Sequence, residues 1–481
     1  MSLRRLSLLL AVSALVLVVH GYHYGIEDEA IYLPAVEHHL NTALYPFDSA
    51  FFDAQCRFTL FPWLMAGLCR LTHLAPSPVF FGVYCLSVFL FVLALRQLAE
   101  RFFPEERSRW AAVLLPTALL TLPVAGTALF IMDQHMHPRN LATIALLFAI
   151  MAALDKRRGA ALALVALAAL VHPLMTIYGG SLVVLLLWRS FRLHMAGFVL
   201  FFALAWIFVP PAPAAWQQVI APYDFLSSWT WYEWVGIIGA LAGLMGCAWW
   251  ARPLKLTLLS ESARRLTLFG ILYSLAAVTI TCVERFKLLA SLQPMRCLQL
   301  IYLFLFFFVG GMVGQAGKRY LAPVAALILL LCGVMFYAQR REFPASRHIE
   351  WPGEAPSNPW LKAFDWIRRN TPTRAYFVLD PDSMERPGED FHGFRGLTER
   401  SVLADLHTDR TAATFSAALA EEWRTQSDAQ RNWKTFRRAD LLRLKQRFGV
   451  DWALLARGSR PSSAGLVCPY QNEQFQVCRI N

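Results

Sequence analysis

The sequence predicts a mostly α-helical polytopic membrane domain followed by a small α/β domain outside the membrane. Hydrophobic residues make up 57% of the 481 residues and charged residues only 16%, against roughly 25% charged in soluble proteins. The charge is uneven: 38 of residues 1–338 are charged, but 40 of the 143 residues 339–481 are. Long apolar runs fill the first part and stop near Tyr337–Arg341. Together these observations exclude a disordered chain, a disulfide mini-scaffold and an ordinary cytosolic enzyme.

Membrane spans are the first element. A span needs roughly 17–25 mostly apolar residues, and about eleven runs qualify, two of them short. The predicted spans are 6–24, 78–98, 110–131, 140–154, 160–174, 175–191, 195–210, 235–251, 266–283, 297–313 and 321–338. Phe58–His73 is also apolar, but Pro62 and Arg70 interrupt it, so we predict an interfacial helix there.

The basic residues predict the orientation. With the N-terminus inside, 17 of the 23 Lys and Arg of residues 1–338 lie in inner loops, as the positive-inside rule requires. We therefore predict a multi-pass protein whose C-terminal domain lies outside the membrane. The expected location is the bacterial inner (plasma) membrane, with that domain periplasmic. The predicted organisation is a transmembrane domain at 1–338, with interfacial helices in the first outer loop (25–77), a linker at 339–360 and an α/β domain at 361–481.

Three consecutive acids, Glu27, Asp28 and Glu29, follow the first span directly. Adjacent like charges disfavour each other, so at least one pKa should rise. A raised carboxylate at an interface suits a general base. The alternative is a solvated helix start, because acids favour a first helical turn and 30–41 reads as an amphipathic helix.

The second outer loop carries one acid, Asp133, which should emerge on the same face as Asp28. His135 and His137 alternate with it, and two His with one Asp could bind a metal. Polar residues at a membrane interface are the commoner explanation. His172 lies at the outer end of a later span, where it either faces a cavity or caps a helix.

A late outer loop gathers Arg285, Lys287 and Arg296. Lys and Arg are normally enriched in the inner loops of membrane proteins, so basic residues on the outer face indicate a function that requires positive charge there. A phosphate at the membrane surface is the simplest partner, since Arg can bind it with two hydrogen bonds. Pairing with Glu284 or with lipid headgroups is the alternative.

The C-terminal domain reads as a small α/β layer. Its predicted helices are 361–369, 411–424 and 436–448, and its predicted strands are 376–380, 401–405, 451–455 and a terminal hairpin. The charged loop 381–400 is either solvated or a lid, and a solvated loop is the prediction. Cys468 and Cys478 flank the hairpin and are either a disulfide or two free thiols. We find no glycine-rich phosphate motif, so a nucleotide-sugar donor is not supported.

In order and sidedness the motifs resemble the GT-C superfamily, polytopic glycosyltransferases that use polyprenyl-phosphate-linked sugars. The matching features are Glu27–Glu29 followed by Tyr32, Asp133 in the second outer loop, Arg296 in a late one, and the helix–strand order after the last span. The chain departs in having Asp133 alone rather than Asp-x-Asp or Asp-x-Glu, and in lacking a Trp-Trp-Asp motif. These departures leave the metal open and argue against protein N-glycosylation.

The resemblance implies an inverting glycosyltransferase that moves a sugar from a polyprenyl-phosphate carrier to a glycan or lipid acceptor on the extracytoplasmic face. Asp28 would be the base, Arg296 would stabilise the phosphate, and Asp133 would orient the acceptor or help to hold an ion. The predicted catalytic residues are Asp28, Glu27, Glu29 and Asp133. The donor-phosphate residues are Arg296, Arg285 and Lys287, and the cavity-lining residues are Tyr32, His135, His137, Arg139 and His172. The only cofactor considered is a divalent cation, Mg²⁺ or Mn²⁺. The expected partners are membrane lipids, donor and acceptor, and no nucleic acid.

Two other functions stay open. A lipid or glycan transporter would need charged groups in mid-span, where substrates cross, and here the charges lie at span ends. A non-catalytic scaffold in envelope glycan biosynthesis would have almost the same sequence.

Overall fold

The structure, a computed structural model, describes residues 2–188, 191–212, 216, 219–315, 321–458 and 465–481. Helices dominate the part before residue 343. The longer ones are Leu3–His20, Glu29–Leu40, Phe61–Thr72, Pro76–Phe102, Glu106–Ala118, Pro138–Leu154, Arg158–Val171, Pro173–Leu187, Phe191–Phe208, Trp231–Trp250, Thr257–Cys282, Leu298–Gln315 and Leu321–Glu342. Shorter helical turns are Ser49–Cys56, Pro222–Asp224, Leu226–Ser228, Glu284–Leu292 and Pro294–Cys297.

Within the described ranges, six helices are long and apolar enough to cross a membrane. They are Leu3–His20, Pro76–Phe102, Trp231–Trp250, Thr257–Cys282, Pro294–Gln315 and Ala322–Glu342. Four more apolar helices, beginning at Pro138, Arg158, Pro173 and Arg192, are shorter. Large apolar side chains such as Phe208 and Leu329 are more than half exposed, as expected of a surface that faces lipid. The chain is thus a multi-pass membrane protein, and the count of eleven spans and the orientation stay predictions.

The predicted span 110–131 is wrong as a continuous helix. The helix Glu106–Ala118 has 13 residues and reaches only about 20 Å at 1.5 Å per residue. Beyond it the backbone is irregular, and Ala125 and Ala128 have positive φ angles of 43° and 52°. Pro116 and Pro123 favour this break because proline lacks the N–H that a helix needs. The second outer loop, with Asp133, is therefore longer than the sequence predicted.

Three helices, Glu29–Leu40, Ser49–Cys56 and Phe61–Thr72, occupy the segment 25–77 that the sequence predicts to be the first outer loop. Phe61–Thr72 leaves Trp63 58% exposed, which fits an interfacial helix. Glu29–Leu40 is not amphipathic, because every residue from Glu29 to Glu37 is buried. The C-terminal domain covers the face that the sequence predicted to be solvated.

The C-terminal domain contains a five-stranded sheet. Its strands are β1 (Tyr376–Val378), β2 (Ser401–Val402), β3 (Trp452–Ala456), β4 (Val467–Gln471) and β5 (Phe475–Arg479). Their order is β2-β1-β3-β5-β4, with β1 parallel to β2 and β3, and β5 antiparallel to β3 and β4. Its helices are Pro359–Asn370, Phe394–Thr398, Thr408–Ala413, Ala417–Ala429 and Arg438–Phe448. The predicted helix 411–424 is two helices, because Ser416 caps the second one at its N-terminus.

Cys468 and Cys478 form a disulfide between β4 and β5. The two strands pair antiparallel, with Gln471 opposite Gln476. Asn472 closes the turn, and its side chain accepts hydrogen bonds from the N–H groups of Gln474 and Phe475 at 3.0 and 2.8 Å. The turn of the terminal hairpin therefore lies at 472–474, one residue beyond the predicted 471–472, because Gln471 still belongs to β4.

The loop 381–400 packs on the membrane domain, which corrects the prediction of a solvated loop. Gly393 N–H donates to the Gly25 carbonyl at 2.8 Å, and Glu27 N–H donates to the Phe391 carbonyl at 3.1 Å. A Cβ on Gly393 would lie 2.2 Å from the Ala30 Cβ, so only glycine permits this approach. The C-terminal domain is thus in direct contact with the acidic motif.

The linker also docks. Tyr22 N–H donates to the His348 carbonyl at 3.0 Å, and Glu350 N–H donates to the Tyr22 carbonyl at 2.9 Å. The Glu350 carboxylate lies 3.3 Å from His23 and 3.0 Å from His392. Linker, first outer loop and C-terminal domain therefore meet at one carboxylate beside the acidic motif.

Candidate active site

The acidic motif lies in a turn that leaves the first helix. Gly21, Gly25 and Glu27 all have positive φ angles, of 77°, 74° and 45°, and a positive φ is unusual for Glu. The turn directs Asp28 and Glu29 to different surroundings. Glu29 is fully buried, whereas the Asp28 side chain is 38% exposed.

Glu29 joins the two outer loops. Its carboxylate accepts the N–H of Gly25 at 3.3 Å and the N–H of Met136 at 2.9 Å. Burial raises its pKa well above the usual range. This predicted catalytic residue is thus positioned to hold the site together rather than to meet a substrate.

Asp28 faces His137, which comes from the second outer loop. His137 Nε2 lies 3.4 Å from Asp28 Oδ2, and His137 Nδ1 accepts the Arg139 N–H at 2.9 Å. Because Nδ1 is an acceptor, a neutral His137 carries its proton on Nε2, facing the carboxylate. Burial lowers the pKa of His137, which favours this neutral form.

Asp133 and Arg139 form a buried pair directly behind His137. Arg139 donates to Asp133 through Nε at 3.0 Å and Nη2 at 2.7 Å, and both side chains are at most 3% exposed. Asp133 Oδ2 lies 3.9 Å from His137 Nδ1. His137 therefore stands between Asp28 and Asp133, the two acids that the sequence placed on one face.

The three acids of the motif have opposite pKa shifts. For Asp28, burial opposes ionisation, but the hydrogen bond from His137 and the charges of Arg139 and Arg296 outweigh it, so its pKa is lowered well below the usual range. For Glu27, burial and then the charges of Asp133 and Asp28 raise the pKa to about 8. The sequence correctly predicted that at least one of these pKa values rises. The raised groups are Glu27 and Glu29, however, and Asp28 stays ionised at neutral pH.

Arg296 supplies positive charge that acts on Asp28. It lies on the turn Pro294–Cys297, is half-buried, and its buried Nε has no hydrogen-bond partner. Its charge lowers the pKa of Asp28 and opposes the effect of burial on Asp224. Within the part of the chain that the structure describes, no acid pairs with this guanidinium, so it is free to bind an anion.

Arg285 and Lys287 do not join Arg296. Arg285 donates to the Trp206 carbonyl at 3.0 Å, and Lys287 pairs with Glu284 at 2.5 Å. The pairing with Glu284 is the alternative that the sequence left open. Of the three predicted phosphate-binding residues, only Arg296 is brought to the acidic motif.

Two of the predicted cavity-lining residues flank His137. The Tyr32 ring meets the His137 ring edge-on at 5.2 Å, and its hydroxyl accepts from Gln55 at 2.9 Å. The His172 ring lies 5.5 Å from that of His137, and its Nδ1 accepts the Met175 N–H at 3.2 Å. His172 therefore both borders the site and caps a helix.

The third histidine of the site, His135, is fully buried, and neither of its ring nitrogens has a hydrogen-bond partner in the described chain. Its ring lies 6.0 Å from that of His137. Across the described ranges, no group of three His, Cys, Asp or Glu side chains is arranged to hold a metal ion. Each carboxylate oxygen of Asp133 accepts a hydrogen bond from Arg139.

Two residues of the site were missed from the sequence. Asp224 accepts from Gln293 at 2.8 Å, and burial raises its pKa to about 6 against the charges of Arg296 and Arg410. A sequence signal existed, because Asp224 is the only acid in residues 211–230. His407 comes from the C-terminal domain, and its Nδ1 lies 3.2 Å from Glu385 Oε1.

His407 adds charge beside the acidic motif. Burial lowers its pKa, but the hydrogen bond to Glu385 and the charges of Asp405 and Asp28 raise it to about 9. It is therefore an imidazolium at neutral pH. The C-terminal domain thus contributes a cation to the electrostatics of Asp28, which no reading of the membrane loops alone could reveal.

No family model and no curated protein sequence matches the chain. Thirteen chains of solved structures do match. The oligosaccharyltransferase of Archaeoglobus fulgidus tethered to an acceptor peptide aligns with a TM-score of 0.49 and 12% identity, over 94% of this chain and 69% of that one. Arabinofuranosyltransferase AftD from Mycobacteria aligns with a TM-score of 0.47 and 15% identity, over all of this chain but 40% of that one. At these scores the likeness carries no argument about activity, which rests on the site itself. Both proteins are polytopic membrane glycosyltransferases of the GT-C superfamily, the group that the sequence resembles.

Proposed function

We propose that the protein is an inverting membrane glycosyltransferase that moves a sugar from a polyprenyl-phosphate carrier to an acceptor hydroxyl on the extracytoplasmic face. One observation carries the proposal. An ionised, partly exposed carboxylate, Asp28, lies within the field of a guanidinium, Arg296, that has no acidic partner in the described chain. A proton acceptor and a phosphate binder are the two groups that this reaction needs.

The reaction is a single displacement. The acceptor oxygen bonds to the anomeric carbon of the donor sugar as the bond between that carbon and the phosphate oxygen breaks. Both electrons of the broken bond leave with the lipid phosphate, and Arg296 stabilises the negative charge that develops there. The acceptor proton passes to the Asp28 carboxylate and from there to water. Attack opposite the leaving group inverts the anomeric carbon.

His137 positions the base. Its Nε2–H faces Asp28, and its other nitrogen is held by the Arg139 N–H, so the imidazole cannot rotate without losing a hydrogen bond. The Asp133–Arg139 pair fixes the backbone that supplies this N–H. Neutral His137 therefore directs one carboxylate oxygen, and the other is left for the acceptor.

Among the residues that the structure describes, no three His, Cys, Asp or Glu side chains are grouped to hold a divalent cation. Both Asp133 oxygens accept hydrogen bonds from Arg139, and His137 is engaged at both nitrogens. The proposed reaction accordingly takes no step through a metal.

The test is conversion of donor by purified protein. The full chain in detergent is incubated with polyprenyl-phosphate-linked sugars, one sugar at a time, with envelope glycans of the source cell as acceptors. The proposal expects release of free polyprenyl phosphate in step with the appearance of labelled glycan. Binding of donors without release of lipid phosphate from any of them would contradict it and favour the scaffold function.

A further inference from the structure

A cavity of the C-terminal domain lies apart from Asp28. It is a groove of about 1080 Å³, which we call the domain groove, lined by 380–382, Leu406, Arg447 and side chains of 421–435. Its volume is at the upper end of that of small-molecule sites. No part of the proposed reaction uses it.

The domain groove is polar but has no net charge. Four carboxylates and four basic side chains line it, and several neutralise each other locally. Arg424 donates to Glu421 at 2.7 Å, and Arg431 donates to Asp428 at 2.5 Å. Balanced charge disfavours a polyanion, because binding a nucleic acid or polyphosphate requires excess positive charge. Planar acids, amides and guanidinium groups suit a neutral ligand rich in hydroxyl groups.

Asp380 lines the domain groove and is 6% exposed. Its Oδ2 forms an ion pair with an Arg386 nitrogen at 3.3 Å, and its Oδ1 accepts the Asp382 N–H at 3.1 Å. Ser427 adds a small hydroxyl-bearing side chain to the same lining. Half-buried Trp423, whose indole N–H donates to the Asp405 carbonyl, gives the same groove an aromatic surface.

One end of the domain groove approaches the acidic motif. Asp380 and Pro381 also line a second, water-sized cavity, and that cavity reaches Ala30, two residues after Asp28. Leu406 lines the groove and donates its N–H to the Pro381 carbonyl at 2.8 Å. The next residue, His407, adds its charge to the field of Asp28. Asp380 and Pro381 therefore border both the groove and the segment that follows Asp28.

We propose that the domain groove binds a neutral glycan chain and that this chain is the acceptor, with the end to be extended directed towards Asp28. The acceptor role rests on the proposed function, whereas glycan binding does not. A peptide would be the poorer ligand, because none of the five strands lines the groove to pair with an extended backbone.

Binding to purified full-length protein tests the proposal. The probes are short neutral oligosaccharides of glucose, mannose, galactose and arabinose, with oligogalacturonate and an unstructured peptide for comparison, measured by saturation-transfer NMR and calorimetry. Ser427→Phe fills the groove and should weaken binding at least about tenfold, while Asp380→Asn, which loses a charged acceptor, should weaken it about tenfold. Thr373→Phe, on an exposed loop outside the groove, is the matched control and should bind as wild type.

The two proposals fail separately. Asp28→Asn should bind the oligosaccharide as wild type does, because the base is not part of the groove. Three results would overturn the proposal that the groove binds a neutral glycan. The first is equal affinity of wild type and Ser427→Phe for the oligosaccharide. The others are binding of only the charged glycan or only the peptide, and binding of no probe at all. Normal release of lipid phosphate alongside those results would leave the proposed function standing. Oligosaccharide binding without any release of lipid phosphate would support glycan binding by the groove and contradict the proposed glycosyltransferase activity.

Discussion

His137 Nε2 lies 3.4 Å from Asp28 Oδ2, although the two residues are separated by more than a hundred positions and belong to different outer loops. The backbone N–H of Arg139 occupies the other ring nitrogen. A neutral histidine in this tautomer is a hydrogen-bond donor to the carboxylate. The contact keeps Asp28 ionised and fixes the direction in which it can accept a proton.

Replacing His137 should therefore move the pH dependence of turnover. His137→Ala removes the donor, so the pKa of Asp28 rises towards its usual range, because one of the interactions that oppose the effect of burial is lost. We expect kcat/KM to fall about tenfold to hundredfold and its acid limb to appear at higher pH. His137→Gln, which keeps an N–H donor, should recover part of the loss. An unchanged pH profile in His137→Ala would show that the contact does not govern Asp28.

Glu27 should make the folded protein less stable as the pH rises. Its pKa is about 8 in the folded chain against 4.5 for a free side chain, so the folded state holds the proton more tightly between these values. The free energy of unfolding contributed by this group is present in full below pH 4.5 and is lost as the pH rises through about 8.

The measurement is the melting temperature of wild type and Glu27→Gln in the same detergent at about pH 5 and about pH 9. Glu27→Gln has no ionisable group at this position. The melting temperature of the variant minus that of wild type should therefore increase by a few degrees between about pH 5 and about pH 9. Glu473→Gln, at an exposed turn, should show no such trend. A constant difference at the two pH values would refute the raised pKa.

Glu29 should matter for stability more than for chemistry. Glu29→Ala leaves the buried N–H groups of Gly25 and Met136 without their acceptor, at about 1–3 kcal/mol each. Glu29→Gln keeps one oxygen acceptor and should cost less. Unfolding of the two variants in detergent checks the order. If Glu29→Gln folds as wild type but has lost all turnover, Glu29 is a catalytic residue after all.

The predicted orientation can be tested with reporter fusions. Fusions after residue 340 should report the outside, and fusions near Arg157 and Arg264 the inside, because the inner loops then hold most of the basic residues. The break after Ala118 makes this test informative, since the sequence counted that segment as a full span. A cytoplasmic report for the C-terminal domain would place Asp28 and Arg296 on the wrong face for the proposed donor.

Local features of the fold were predictable where periodicity and turn residues agree. The helix Pro359–Asn370, strand β3 and the hairpin around Asn472 lie close to their predicted positions. The span 110–131 was not predictable from composition, because a buried irregular loop is as apolar as a helix that crosses lipid. Pro116 and Pro123 were the available signal.

The candidate site was predictable only in part. Asp28 and Asp133 could be selected as site residues because acids are scarce near the membrane, and the structure brings both to one site through His137. Asp224 and His407 come from distant segments, and nothing in a linear pattern states which loops will pack together. Glu27, Asp28 and Glu29 differ in pKa and in contacts. These differences depend on burial and on the positions of His137 and Arg296, which only the tertiary structure supplies.

Arg296 and Asp28 should affect different steps. Arg296→Ala removes a phosphate partner, so donor binding should weaken by on the order of 1.5–3 kcal/mol, or about tenfold to hundredfold. Arg285→Ala is the matched control, because that side chain bonds to the Trp206 carbonyl and should leave donor affinity nearly unchanged. Equal losses in the two variants would point to a general loss of surface charge rather than a phosphate site.

The most direct test of the account is turnover and donor binding of Asp28→Asn, measured on the same preparation. Asparagine keeps the size and most hydrogen bonds of the side chain but cannot accept the proton. We expect release of lipid phosphate to fall to background while the donor binds with the affinity of wild type, and Glu27→Gln to stay active. Turnover of Asp28→Asn at the wild-type rate would contradict the account.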